Sequence, residues 1–242
     1  MVNNKKKKVI LLTGSSSGIG LSLAKLFSQE DFNLVLCSRN IKKLNQLFAK
    51  KNNVYVLKID LRNELKIRRN IKKIFKKYGK IDILINNAGM CSVERFEKIN
   101  KNKINNIFKT NFYAPLYLIK ECLPKMKKNN FGRIINISSG GSINCSKFFT
   151  LYSASKAALN TLAKSLNNEI SSYNIKINTL SPGPCKTKMF PKNPLSPKLC
   201  FSSVKKLINL DKDGPSGKFF WFKREIKIIP EIKINWAKPK KI

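Results

Sequence analysis

Val9-Ile10-Leu11-Leu12-Thr13-Gly14-Ser15-Ser16-Ser17-Gly18-Ile19-Gly20, close to the start of a 242-residue chain, decides the fold. Val9–Thr13 is a short continuous apolar run that stops at a glycine, as a strand buried on both faces does. Gly18–Phe27 then changes period, with Ile19, Leu23, Leu26 and Phe27 at helical spacing. Glycines permit a tight turn and close backbone approach, and the unpaired N–H groups at a helix start suit a pyrophosphate. The spacing is G-x-x-x-G-x-G rather than the G-x-G-x-x-G of many dinucleotide folds. Taken alone, the loop is equally a structural strand-to-helix turn.

The alternation continues along the chain. Leu34–Ser38 reads as a strand, then Ile41–Lys50 as a helix with Leu44, Leu47 and Phe48 on one face. Val54–Ile59 is a third strand, and Glu64–Tyr78 a helix with Ile67, Ile71, Ile74 and Phe75 inward, closed by Gly79. Ile81–Ile85 follows as a strand, with helices about Phe96–Lys109 and Phe112–Lys128. Arg133–Ile137 is the fifth strand, Ser153–Ser171 a long helix and Ile175–Leu180 the sixth strand. Strands separated by helices imply βαβ units with right-handed crossovers. The expected class is α/β, a Rossmann-type doubly wound parallel sheet with helices on both faces. No linker or composition break divides residues 1–242, which read as one domain.

After Ser181 the texture changes. Five prolines between Pro182 and Pro197 break the chain into a loop, Val204–Leu210 looks helical, and Gly217–Phe222 reads as a last strand. Residues 185–215 are the candidate substrate lid, since loops at the carboxyl ends of parallel strands hold ligands, and 223–242 read as a tail.

Composition excludes several chemistries. Lys and Arg total 49 against 13 Asp and Glu, a formal charge of +36, and there is no histidine. Histidine triads, imidazole zinc sites and histidine general bases are therefore ruled out, leaving acid–base work to Tyr, Lys, Cys or a carboxylate. The six cysteines form no C-x-x-C pair, so neither a disulfide framework nor a metal site is expected. Lysines are spread evenly among Asn and Ile and far outnumber arginines, which argues against specific nucleic-acid binding and for weak adhesion to polyanions. The basic run Lys5 to Lys8 precedes only a short apolar stretch, and no run approaches ~18 apolar residues. A cytoplasmic protein with no membrane partner is expected.

Four further elements stand in order. Asp60 and Leu61 end the third strand, and Asn86-Asn87-Ala88-Gly89 the fourth. Ser138-Ser139 ends the fifth, and Tyr152-Ser153-Ala154-Ser155-Lys156 opens the long helix. With the glycine-rich loop they resemble the short-chain dehydrogenase/reductase family across roughly Lys8 to Gly183, and a carbonyl-reductase-like branch through Asn193–Pro197 and Asp213–Phe220. No Gly-Gly pair follows the presumed last strand, a departure from the common family pattern.

The resemblance implies a catalytic set of Asn111, Ser139, Tyr152 and Lys156. Tyr152 would exchange a proton with the substrate oxygen, its pKa lowered by Lys156 four residues on. Lys156 would also hold the nicotinamide ribose, Ser139 the substrate oxygen, and Asn111 a water chain to the lysine. Ser138 competes with Ser139, but the spacing to Tyr152 favours Ser139. The implied cofactor contacts are Gly14, Ser15, Ser16, Ser17, Gly18, Ile19 and Gly20 in the loop, then Asp60, Leu61, Asn87, Ala88 and Gly89, and finally Pro182, Gly183 and Thr187. Asp60 is also a candidate helix cap. Cys185, in the loop after the sixth strand, reads as a small space-filling residue.

NAD-preferring folds carry an acid about 20 positions after the glycine-rich loop. Here Cys37-Ser38-Arg39-Asn40 stands there, with no carboxylate. Arg39 offers a planar fork to a 2′-phosphate, helped by the hydroxyls of Ser38 and Ser15–Ser17, so NADP(H) is expected over NAD(H). The implied function is NADP(H)-dependent hydride transfer to or from a small-molecule carbonyl or alcohol. A 3-oxoacyl-acyl-carrier-protein reductase is the alternative enzyme, and an NADP(H)-sensing or polyanion-binding protein the non-enzymatic one. Family likeness also implies a homodimer or homotetramer, paired through Phe112–Lys128 and Ser153–Ser171.

Overall fold

The computed structural model describes residues 7–228. Its strands are β1 Lys8–Thr13, β2 Phe32–Ser38, β3 Val54–Lys58, β4 Ile83–Asn86, β5 Gly132–Ile137, β6 Ile175–Ser181, β7 Phe219–Trp221 and β8 Arg224–Ile226. They form one sheet in the order β3-β2-β1-β4-β5-β6-β7-β8. Every pairing through β7 is parallel, and β7–β8 is antiparallel. The helices are α1 Gly18–Phe27, α2 Lys42–Phe48, α3 Glu64–Tyr78, α4 Lys101–Phe108, α5 Ala114–Lys128, α6 Gly141–Asn144, α7 Thr150–Glu169 and α8 Cys200–Ile208.

Side chains alternate across a strand, so β1 feeds two cores. Ile10 and Leu12 pack with Leu23 and Phe27 of α1, Leu44 and Phe48 of α2, and Val204 and Leu207 of α8. Val9 and Leu11 pack with Ile67, Ile71 and Ile74 of α3, Leu118 and Cys122 of α5, and Ala163 of α7. Helices on both faces are why the strands read as unbroken apolar runs. The chain turns outward in opposite directions from β1 and β4, which opens a crevice at their carboxyl ends.

Several expected boundaries move. The helix expected at Phe96–Lys109 is a single turn at Phe96–Lys98 followed by α4, whose first N–H groups are capped by Asn100 accepting from Lys103 N. The helix expected from Phe112 begins as a π-helical turn, Lys109–Tyr113, and settles into α5 only at Ala114. Leu47, expected inward, is exposed because α2 is only seven residues long and rests on Leu44 and Phe48. Asn63, not Asp60, caps α3, accepting from Lys66 N at 2.9 Å. The helix expected at Val204 begins earlier, at Cys200. The last strand shortens to Phe219–Trp221, and the expected tail turns back at once as β8, with Phe219 opposite Ile226. The rest of that tail, residues 229–242, lies outside the described residues, as do Lys5 and Lys6 of the basic run.

Candidate active site

The glycine-rich loop is held by its neighbours' backbone. Thr13 Oγ1 donates to Ile85 O and accepts from Asn87 N at 3.0 Å and Ala88 N at 3.1 Å. Asn87 Nδ2 donates to Thr13 O at 2.9 Å. Gly14 has a φ of +66°, and a Cβ there would meet Ala88 Cα at 2.8 Å. A Cβ at Gly20 would meet Gly14 O at 2.2 Å. Gly20 thus shapes the loop without lining the crevice, while Asn87 both braces the loop and lines the cavity. Ser15 is fully buried, its hydroxyl donating to Cys37 O, so it is not available to a 2′-phosphate as expected. Ser38 Oγ donates to Ser16 Oγ at 2.7 Å, and Ser17 leads into α1 without a side-chain cap. The first N–H groups of α1 are left for a ligand anion.

At the far side of the crevice, Asp60 is gripped by Arg62. Nε and Nη2 reach its two oxygens at 3.0 and 2.7 Å, and Arg62 N adds a third bond. That pairing holds the Asp60 carboxyl down to about 2, while burial pulls the other way. Arg62 also donates to Asn106 Oδ1. Arg39 stands exposed at the same mouth and forms no ion pair among the described residues. Leu61 lines the same cavity.

Across the crevice, α7 presents Tyr152 and Lys156 on one face, both buried. Gly141 N donates to Ser139 Oγ at 3.1 Å, which turns that hydroxyl toward Tyr152, with which it shares a hydrogen bond. Ser138 instead donates to Asn160 Oδ1 at 2.7 Å and is buried, so the structure separates the two serines. Burial pushes Tyr152 up to about 12, against the Ser139 hydrogen bond. The expected lowering by Lys156 is not found. Its Nζ lies 6.0 Å from the Tyr152 ring and donates to Ile137 O at 2.7 Å. Burial pulls Lys156 itself down to about 8.

Asn111 sits in the π turn and is fully buried. It accepts from Met90 N and donates to Met90 O and Ser155 Oγ, each within 2.9 Å. Ser155 Oγ donates in turn to Tyr152 O. Asn111 therefore ties the loop after β4 to the helix that carries the tyrosine. Sequence reading passed over Arg62, Cys91, Phe149, Phe190 and Trp221. Cys91 follows the Asn-Asn-Ala-Gly run, and its thiol is pushed up to about 11 by burial while Lys156 pulls it down. Cys185 is buried under Pro182 O, as a space-filling residue would be.

Together these groups line one elongated cavity of about 650 Å³. It runs from Arg39 and Asp60 past Gly14, Ser16–Ile19 and Gly89 to Ser139, Tyr152, Lys156, Pro182, Gly183 and Thr187. Residues 8–196 match the family model of the short chain dehydrogenases. The chain belongs to the short-chain dehydrogenase family.

Relatives of this short-chain dehydrogenase include an uncharacterized oxidoreductase of Staphylococcus epidermidis, 31% identical over 76% of this chain and 80% of the relative. A 3-ketodihydrosphingosine reductase of Bacteroides thetaiotaomicron is 30% identical over 97% of this chain and 80% of its own. Among solved structures, ElxO with NADP bound has a TM-score of 0.82 and 28% identity, covering 89% of this chain and 97% of ElxO. The fold binds a nicotinamide dinucleotide, and the cavity of this short-chain dehydrogenase fits one. It is long, uncapped N–H groups stand at its middle, and Gly18 leaves only 3.1 Å between a would-be Cβ and Thr187 Cγ2.

Proposed function

We propose that this short-chain dehydrogenase interconverts a small-molecule carbonyl compound and its alcohol with NADP(H). The observation that carries the reading is the meeting of Ser139, Tyr152 and Lys156 on the wall of one cavity. A bound NADPH would supply the hydride to the carbonyl carbon, leaving NADP⁺. Tyr152, raised to about 12, holds its proton at neutral pH and donates it from Oη to the carbonyl oxygen. Ser139 Oγ steadies the charge that develops on that oxygen. Lys156, at about 8, titrates near the working pH and restores the proton balance of the buried site. Asn111 acts as a positioning residue, since its amide is engaged with Met90 and Ser155.

Ser16, Ser17, Gly18 and Ile19 would receive the pyrophosphate, and Arg39 the 2′-phosphate. ElxO, with NADP in the same fold, supports that choice. The 3-ketodihydrosphingosine reductase among the relatives supports carbonyl chemistry. Self-association through α5 and α7 belongs to the same reading, because Leu162 and Leu166 are only partly covered by the core. A monomer by light scattering at moderate salt removes that part. The main test is NADPH oxidation with a panel of ketones and aldehydes. Tyr152→Phe should lose at least ~100-fold in kcat while still binding NADPH. Unchanged turnover in that variant sinks the assignment.

A further inference from the structure

Aromatic side chains frame the end of the cavity where Ser139 and Tyr152 stand. The Phe149 ring is 6.3 Å from Tyr152 and 6.1 Å from Phe190, and Phe190 is 6.5 Å from Tyr152. On the Ser139 side, Trp221 packs so closely on Gly140 that a Cβ there would meet the indole at 2.3 Å. These side chains come from the start of α7, the loop after β6 and the β7–β8 hairpin, yet all three face one cavity.

Charge is distributed quite differently. The one carboxylate among the described residues lining the cavity is Asp60, held by Arg62 at the opposite end. Near the reacting end stand Lys156, bound to Ile137 O, and Lys188, exposed at the rim. A substrate ammonium would meet no anion there, and a carboxylate beside the carbonyl would meet no buried clamp. A carboxylate placed against these rings would give up its hydration with no partner in return, whereas apolar surface gains by being buried there.

We infer that the substrate is an uncharged ketone or aldehyde carrying a bulky apolar group beside the carbonyl carbon, and that Phe149, Phe190 and Trp221 seat that group. The inference rests on the carbonyl–alcohol reading above. Phe190 is the side chain that sets the preference. A closed turn presents it, with Phe190 N donating to Thr187 Oγ1 and Thr187 N to Phe190 O, each at 3.2 Å. It lies outside α7, so shortening it leaves the helix of Tyr152 and Lys156 intact.

The test measures kcat/KM with NADPH for methyl octyl ketone, acetophenone, butanone and pyruvate, using the full chain. The two bulky apolar ketones should exceed butanone by about tenfold or more, with pyruvate lowest. Phe190→Ala should cut the methyl octyl ketone to butanone ratio about tenfold, and Phe190→Leu by less. An alanine variant that fails to fold leaves the leucine variant and the parent's panel to decide. Pyruvate matching methyl octyl ketone overturns the substrate class while leaving carbonyl reduction standing. A ratio unmoved in both variants overturns the part assigned to Phe190. If NADPH reduces no carbonyl compound at all, the underlying reading falls and this inference falls with it.

Discussion

The carboxyl edge of the sheet is built in two ways. Around β1, β2 and β4 the crevice is shaped by main chain: a left-handed Gly14, a Gly20 with no room for a Cβ, and Thr13 and Asn87 stitching the loops together. Beyond β5 and β6 it is shaped by side chains from separated segments, namely Phe149, Phe190 and Trp221. The first half suits a ligand whose phosphates are the same in every turnover. The second takes its walls from side chains, two of them, Phe190 and Trp221, outside the helix of Tyr152 and Lys156. Main-chain constraint therefore sits where the cofactor is expected, and side-chain walls where the substrate is.

The sharpest way to break this contrast is Gly20→Ala. Its new Cβ would lie 2.2 Å from Gly14 O, a backbone atom with no rotamer to escape into. We expect a loss of about 3 kcal/mol in denaturant unfolding, together with weaker NADPH binding. A stability within ~0.5 kcal/mol of the parent would show that the loop yields and that the main chain is not the rigid half.

Arg39→Ala tests the side chain assigned to the 2′-phosphate in the cofactor half. It should reduce the preference for NADPH over NADH by roughly 1.5–3 kcal/mol, read from kcat/KM for both cofactors. A parent that uses NADH equally well refutes the role. Arg62 is not expected to substitute, because its fork is occupied by Asp60.

Lys156→Met probes the boundary between the halves. Lys156 is lowered to about 8 in the fold, from an ordinary 10.5, by burial. Below pH 8 the folded protein carries a buried ammonium that the unfolded chain holds in water. Between about 8 and 10.5 the unfolded chain binds the proton and the folded one does not, so the parent gains stability as pH rises through that window. The full difference is about 3 kcal/mol, less about 1 kcal/mol for the lost bond to Ile137 O. The variant should thus be inactive yet about 2 kcal/mol more stable at pH 7, with the advantage shrinking toward pH 10. Equal stability at both pH values would mean that the lysine is solvated.

Asn63→Ala carries the smallest effect. It removes the α3 cap, and about 1 kcal/mol of stability should go with no change in kinetics. Unchanged stability in Asn63→Ala would remove Asn63 from the cap.

Where local rules govern, the chain was legible before its structure. Val9–Gly20 declares strand, turn and helix because glycine, apolar run and helical period act over a few residues. Tyr152 and Lys156 share a face by helix geometry alone. The misread places depend on partners far along the chain. Ser15 is turned away from the crevice by Cys37 O, and Asp60 is withdrawn from capping by Arg62. Asn111 is drawn inward through a π turn by Met90 and Ser155. Tyr152 is raised by burial, because Lys156 found Ile137 O instead.

The sequence by itself determined the βαβ alternation, the glycine-rich turn, the pairing of Tyr152 with Lys156 and the lack of an acid after β2. Each is a property of neighbours within one or two turns of chain. Only the tertiary structure decided what engages Ser138, what occupies Asp60, and that an antiparallel β8 closes the edge where a tail was expected. It also brought Phe149, Phe190 and Trp221 to one wall. The physical reason is that burial and long-range hydrogen bonds depend on which surfaces the finished sheet presses together, and no local period records that.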